Sequence, residues 1–455
     1  MFVLVDLFGV FINQNTFDGG DSILHFIYAQ QALDYPSYLL HHWAKPIFVL
    51  FASPFAQMGW IGMKLFNTIC IVGALLLMSK LYQWANDGQR TPSRNLIWIL
   101  PFGLLMPDLF MVQSSGLTEP LFALLLCAGL MAYHRGYSSW ALIIWSFLPF
   151  VRSEGWIVIP VLAVLCILNG KVKKLGYFTF GTIAYSIIGS SHHHDLLWVF
   201  HRNPYSGTEH KYGSGSWFHY VEQLPYAMGL PLFLLLVAGT VLIGFHLIQN
   251  KVSIRSPFVW AITIFWAFFC AHTIFWAMGW FHSFGLRRVF IAVLPLTTLI
   301  SAYVIDRLQG GQFQSWGRVV IILTVLIFPF TGNKMGFSFP DSLKKDVSLR
   351  CADEAAKWFQ SSQYSSSAVC YAQHYLTIAL ERDMDDPAQV RIMEKGVIED
   401  LEPGTVIFWD SYFSYSDKGV SEQMLESAPD IFKLQEFSVR SSDKTHRISM
   451  YRKSG

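Results

Sequence analysis

Five apolar runs set the class of this chain. Trp60–Leu81, Thr118–Tyr133, Tyr226–Leu247, Phe258–Trp280 and Val289–Ile305 each approach or reach the roughly 20 residues that a helix needs to cross a bilayer. Shorter runs at Leu96–Met106, Ala141–Phe150, Trp156–Leu168, Leu175–Ile188 and Val319–Phe330 read as spans interrupted or capped by proline and glycine. That gives about ten or eleven spans. Composition agrees, since hydrophobic residues make up 53% of the chain and charged ones only 14%. A soluble domain averages about 25% charged, so much of this surface faces something other than water. The net charge of +2 gives no footing for a nucleic-acid partner. The expected fold class is a polytopic α-helical membrane protein.

The first run, Met1–Ile12, carries Asp6 and lacks the basic leader and small-residue cleavage site of a signal peptide. It reads as either a thin first span or an incomplete start. Orientation follows from the Lys/Arg bias of short loops. Arg90 and Arg94, Arg135, Lys171 to Lys174, Lys251 with Arg255, and Arg307 with Arg318 fall in alternate loops. Those loops are then cytoplasmic. The opposite face holds Asn13–Gln57, Pro107–Leu117, Ser190–Pro225, Trp280–Arg288 and everything after Thr331.

Two domains are expected, residues 1–331 in the membrane and residues 332–455 outside the cytoplasm. In the tail, Ser348–Phe359 reads as an amphipathic helix, and "SAVCYA", "GTVIFWDS" and "RISMYR" read as short strands. A small α/β domain follows, either a structural cap or an acceptor-binding unit. Cys70, Cys127, Cys166 and Cys270 lie in apolar runs as inert fillers. Cys351 and Cys370 sit on the oxidising side, where a pair can form.

Four polar constellations gather on the outer face. "FDGGDSILHF" places Asp18 and Asp21 around two glycines, with His25 one helical turn after Asp21. Asp21 suits a helix cap and equally a general base. The same constellation continues into "LLHHWAKPIFVLFASPF", with His42 and Lys45, too proline-broken to span cleanly. "PDLFMVQSSGLTEP" holds Asp108 and Glu119, and a carboxylate at a span mouth is costly unless paired or wet. "FVRSEGW" holds Arg152 and Glu154, which can pair with one another. "GWFHSFGLRRVFIAVLP" sets Arg287 and Arg288, with His282 nearby, on the face where basic residues are rare. A guanidinium there either binds phosphate with two N–H groups or snorkels to headgroups. The loop Ser190–Tyr220 contains His192, His193, His194 and Asp195, whose adjacency gives a divalent metal little support. Its later part, around Tyr212, has the composition of a flap that stacks on sugar.

Together these pieces resemble the GT-C superfamily of integral-membrane glycosyltransferases, in the protein O-mannosyltransferase and aminoarabinose-transferase-like branch. "FDGGDS", "HHWAKPIF", "SSGLTEPLF", "RSEGW" and "GLRRVFIAVLP" carry the likeness in order along the whole chain. The sequence departs from the usual pattern where "GGDS" has no adjacent second acid and Lys45-Pro46 replaces a Pro-Pro pair. The resemblance implies transfer of one sugar, with inversion, from a polyprenyl-phosphate donor to a lipid, glycan or protein acceptor. It implies a bacterial inner membrane with the site facing the periplasm or exterior, and no cofactor. Carried over by position, Asp21 matches the first-loop acid and Glu119 the second-loop acid, with Asp18 beside them. Arg288, Arg287, Arg152 and His282 then suit the donor phosphate, and His25, His42, Lys45, Tyr212 and Glu154 suit substrate binding. A secondary transporter or lipid-linked sugar flippase is the rival class, but transporters show internal repeats and mid-bilayer charges. Here the charges gather on one face. A non-catalytic scaffold is the third reading.

Overall fold

The computed structural model describes residues 2–86, 96–204, 212–307, 312–332, 343–441 and 445–454. Arg90, Arg94 and part of the histidine-rich loop fall outside that set. The contacts divide the chain into two compact units. The first comprises Met1–Asn13 and His25–Leu343, the second Gln14–Leu24 and Lys344–Gly455. Against expected domains of 1–331 and 332–455, the first unit runs to Leu343. The segment carrying Asp18 and Asp21 groups with the C-terminal residues instead.

The first unit is helical. Its opening helices are α1 (Phe2–Ile12), α2 (Asp21–Gln31, which contains the unit boundary), α3 (Pro46–Ala56), α4 (Gly59–Asn86), α5 (Leu96–Leu104) and α6 (Pro107–Val112). Then come α7 (Glu119–His134), α8 (Ser138–Ser146), α9 (Gly155–Leu168), α10 (Phe180–His193) and α11 (Trp198–His201). The last are α12 (His219–Met228), α13 (Leu230–Ile248), α14 (Pro257–Met278), α15 (Leu294–Arg307) and α16 (Gln312–Ile327). Among the described residues α4, α13 and α14 are long and apolar enough to cross a membrane. At 11 residues, α3 falls well short of the roughly 20 that a span needs. Its predicted failure to span cleanly fits that length.

Two expected runs are broken. Tyr226–Leu247 splits at Gly229, whose φ of 81° is cheap only for glycine. Val289–Ile305 begins instead as a 3-10 turn, Arg287–Ala292, before α15 starts at Leu294. Packing is tight where glycine permits it: a Cβ on Gly129 of α7 would lie 2.1 Å from the Trp145 ring nitrogen of α8.

The C-terminal part of the second unit is a mixed five-stranded sheet in the order β2-β1-β3-β5-β4. The strands are β1 (Val369–Tyr371), β2 (Val390–Ile392), β3 (Val406–Asp410), β4 (Ile431–Arg440) and β5 (Thr445–Lys453). Strand β1 runs parallel to β2 and β3, and β5 is antiparallel to β3 and β4. Helix α17 (Val347–Ser361) matches the predicted amphipathic segment. Asp346 caps it by accepting from the Ser348 N–H at 2.8 Å. Leu349, Cys351, Ala352, Ala355, Ala356 and Phe359 recur at helical spacing and are buried. They pack with Val369, Tyr371, Val406 and Phe408 on one sheet face. Cys370, Ile407 and Trp409 point to the other face, as the period of two in a strand demands. Cys351 and Cys370 therefore lie in different cores. All six cysteines are free thiols, so the pairing that the sequence left open for Cys351 and Cys370 is not formed.

Candidate functional site

The first unit gathers its buried charges at the ends of α6, α7 and α9 and at the 3-10 turn before α15. Glu119 opens α7 and is fully buried. The Arg152 Nη1 lies 2.8 Å from its Oε1 and donates to Thr118 Oγ1 at 2.9 Å. The Arg152 Nη2 reaches Glu154 Oε1 at 2.5 Å. The expected Arg152–Glu154 pair is thus present, but the same guanidinium also serves Glu119. Arg288 approaches Glu119 from the 3-10 turn, its Nε 3.8 Å from Oε1. Its neighbour Arg287 is held by Asp108 of α6 through two hydrogen bonds of 2.9 Å each.

Lys45 joins this group through Ser153, to whose Oγ its Nζ donates at 2.9 Å. Lys45 is buried and has φ of 67°, a left-handed conformation that a non-glycine residue rarely adopts and that gathers at functional sites. Pro46, next in sequence, restricts its backbone further. Three arginines, Arg152, Arg287 and Arg288, thus meet three carboxylates, Asp108, Glu119 and Glu154, with Lys45 reaching the group through Ser153. Guanidinium and ammonium groups gathered in this way suit an anionic ligand.

Other predicted site residues lie elsewhere. His25 stacks on Trp43 at 4.6 Å and meets Phe48 edge-on at 5.5 Å. His42 pairs through Nε2 with the Val199 carbonyl at 3.0 Å. His282 meets Tyr212, ring to ring at 6.4 Å, rather than an arginine. Tyr212 packs more closely on Phe284, at 4.9 Å. His193 of the histidine run bonds the Leu40 carbonyl, and Asp195 takes His201. Among the described residues no three His, Cys, Asp or Glu side chains form a group able to hold a metal.

Asp18 and Asp21 belong to the second unit. Asp18 Oδ1 accepts from the N–H groups of Gly20 and Ser22 at 2.9 and 3.2 Å. The capping role expected of Asp21 thus falls to Asp18. Asp21 is instead the first residue of α2, where the helix dipole favours its negative charge.

Ser153 and His272 escaped sequence reading. His272 of α14 is buried against Phe268, their ring centroids 4.5 Å apart. Its Nε2 has no hydrogen-bond partner. The signal for it was legible: an ionisable residue inside an apolar span marks function by default.

A helical unit with clustered arginines and acids and a small α/β unit make up a fold already seen in solved structures. ArnT from Cupriavidus metallidurans shares that fold. Its apo crystal structure superposes with a TM-score of 0.61 at 12% identity, over 98% of this chain and 97% of that one. Its structure bound to undecaprenyl phosphate gives 0.62 at the same identity and coverage. The resemblance read from the sequence therefore holds at the level of fold. No protein-family model matches the chain, and no curated protein matches it in sequence.

Proposed function

We propose that this chain transfers a single sugar from a polyprenyl-phosphate donor to a lipid, glycan or protein acceptor, with inversion. In this reading it lies in a bacterial inner membrane with about ten or eleven spans. The site and the C-terminal domain face the periplasm or exterior. One observation carries the proposal: the gathering of arginines around the buried Glu119, with Arg152 at 2.8 Å and Arg288 at 3.8 Å. The fold likeness to an ArnT structure holding undecaprenyl phosphate supports a phosphate as the ligand of that charge.

The chemistry follows from the residues. An acceptor oxygen attacks the anomeric carbon as the bond from that carbon to the phosphate oxygen breaks. Polyprenyl phosphate leaves with the electron pair, and Asp21 takes the hydroxyl proton. Arg288, Arg152 and Lys45 stabilise the charge growing on the phosphate. Glu119 and Asp108 hold the arginines in position. The reading uses no cofactor and assigns the phosphate charge to these side chains.

Arg288→Ala and Arg288→Lys test this in purified protein supplied with a polyprenyl-phosphate sugar. Loss of a charged hydrogen bond costs ~1.5–3 kcal/mol, or roughly ten- to more than a hundredfold in donor use. Lys keeps the charge without the planar fork, so it should fall between. Near wild-type turnover by Arg288→Ala and Arg152→Ala alike would remove the phosphate role.

A further inference from the structure

Open α/β sheets bind ligands beyond the carboxyl ends of their parallel strands, where neighbouring strands send the chain to opposite sides. In the second unit that point lies between β1 and β3. The chain leaving β1 passes to β2 on one side, and the chain leaving β3 passes to β4 and β5 on the other. Tyr371, the last residue of β1, pairs with Phe408, and β3 runs on to Asp410.

The residues delivered there are polar and aromatic. Gln373, just past β1, is 0% exposed, yet neither its Oε1 nor its Nε2 has a hydrogen-bond partner. The buried Nδ1 of His374 is also unpartnered. Unpaired buried polar groups destabilise a fold, so two in succession call for an explanation. Past β3 the chain makes a π-type turn, Phe413–Asp417, a geometry frequent at functional sites. Tyr412, just before it, and Tyr415, within it, are 52% and 60% exposed. The Asp18–Asp21 segment packs at the same end: a Cβ on Gly20 would lie 3.4 Å from the Phe413 ring. Asp21, Asp417 and Lys418 are all near enough to act on the charge of His374.

We propose that this edge of the second unit is a saccharide-binding site, in which Gln373 and His374 pair with sugar hydroxyls and Tyr412 and Tyr415 offer ring faces. An amide both donates and accepts, as a hydroxyl does. Aromatic rings supply flat apolar area at low entropic cost. Two carboxylates against one lysine around His374 favour a neutral sugar over a phosphate. Resting on the glycosyltransferase reading, the site holds the acceptor beside Asp21.

The test uses the full chain in lipid nanodiscs and saturation-transfer NMR with the methyl glycosides of glucose, galactose, mannose and N-acetylglucosamine. The wild-type protein should saturate the ring protons of at least one. Gln373→Leu and Tyr412→Ala should each weaken that binding at least tenfold. Gln373→Leu fills similar space without the amide, so its melting temperature should hold or rise. A lower melting temperature with unchanged binding makes Gln373 structural and overturns the site. The surface change Tyr412→Ala keeps the test decisive if Gln373→Leu does not fold. Donor consumption is read in parallel. Protein that consumes a polyprenyl-phosphate sugar but binds no glycoside overturns the saccharide site alone. Protein that binds glycosides but never consumes donor overturns the transferase reading and leaves the site standing.

Discussion

Arg287 grips Asp108 with two parallel hydrogen bonds, Nε to Oδ2 and Nη2 to Oδ1, both 2.9 Å long. The pair joins α6 to the 3-10 turn that carries Arg288, across 179 residues of chain. It fixes where Arg288 emerges.

Breaking that pair should cost stability first. Asp108 is 1% exposed and Arg287 33%, so Asp108→Ala should cost roughly 3 kcal/mol, the lower end for a broken buried pair. Thermal unfolding of the purified protein measures it. Arg287→Ala on top of Asp108→Ala should add little, because the interaction is already gone. Melting of Asp108→Ala at the wild-type temperature would show that the pair holds nothing in place.

The two first-loop acids should separate cleanly. Asp18→Ala removes a cap and should cost about 1 kcal/mol of stability, while transfer survives. Asp21→Asn should leave folding intact and slow transfer by ~10²–10⁴, since an amide cannot take the acceptor proton. Rate assays and melting curves on both variants check this. A rate loss under about tenfold for Asp21→Asn would shift the base role to Glu119.

His374 should make the second unit sensitive to acid. Burial, then the Lys418 ammonium, lower its pKa from 6.5 to about 4, against the opposing pull of Asp417 and Asp21. In the unfolded chain it binds a proton at higher pH, so between about 6.5 and about 4 the unfolded state holds more protons. Stability should therefore fall as pH drops through that window, then level off below it. His446 is shifted the same way by burial. Melting against pH, compared with His374→Gln, reads the effect: the variant should show a shallower fall. Identical slopes would remove His374 as a source.

The thiols of the second unit should stay reduced and unreactive. Burial pushes Cys351 up to about 11 and Cys370 up to about 12, so thiolate is scarce. Alkylation without reductant should spare both in native protein. After unfolding it should modify all six cysteines. Mass spectrometry counts the labels, and a missing pair at Cys351 and Cys370 would mean a disulfide after all.

The sequence by itself determined the local elements. Apolar runs without proline became α4 and α14, and the stripe from Leu349 to Phe359 became α17. Short strand-forming runs bounded by turn residues gave β1, β3 and β5. Strand β4 escaped because its side chains lie mostly toward solvent, leaving no apolar period to read. The acids and arginines were legible as candidates because charge near a bilayer is expensive wherever it occurs. Their partners were not. That Arg287 takes Asp108, that Arg152 serves both Glu119 and Glu154, and that Asp18 rather than Asp21 does the capping depended on the folded backbone. So did the placing of Cys351 and Cys370 in separate cores. Periodicity is a property of neighbouring residues, whereas an ion pair needs two side chains within a few ångströms, and only the packing of distant segments decides which two.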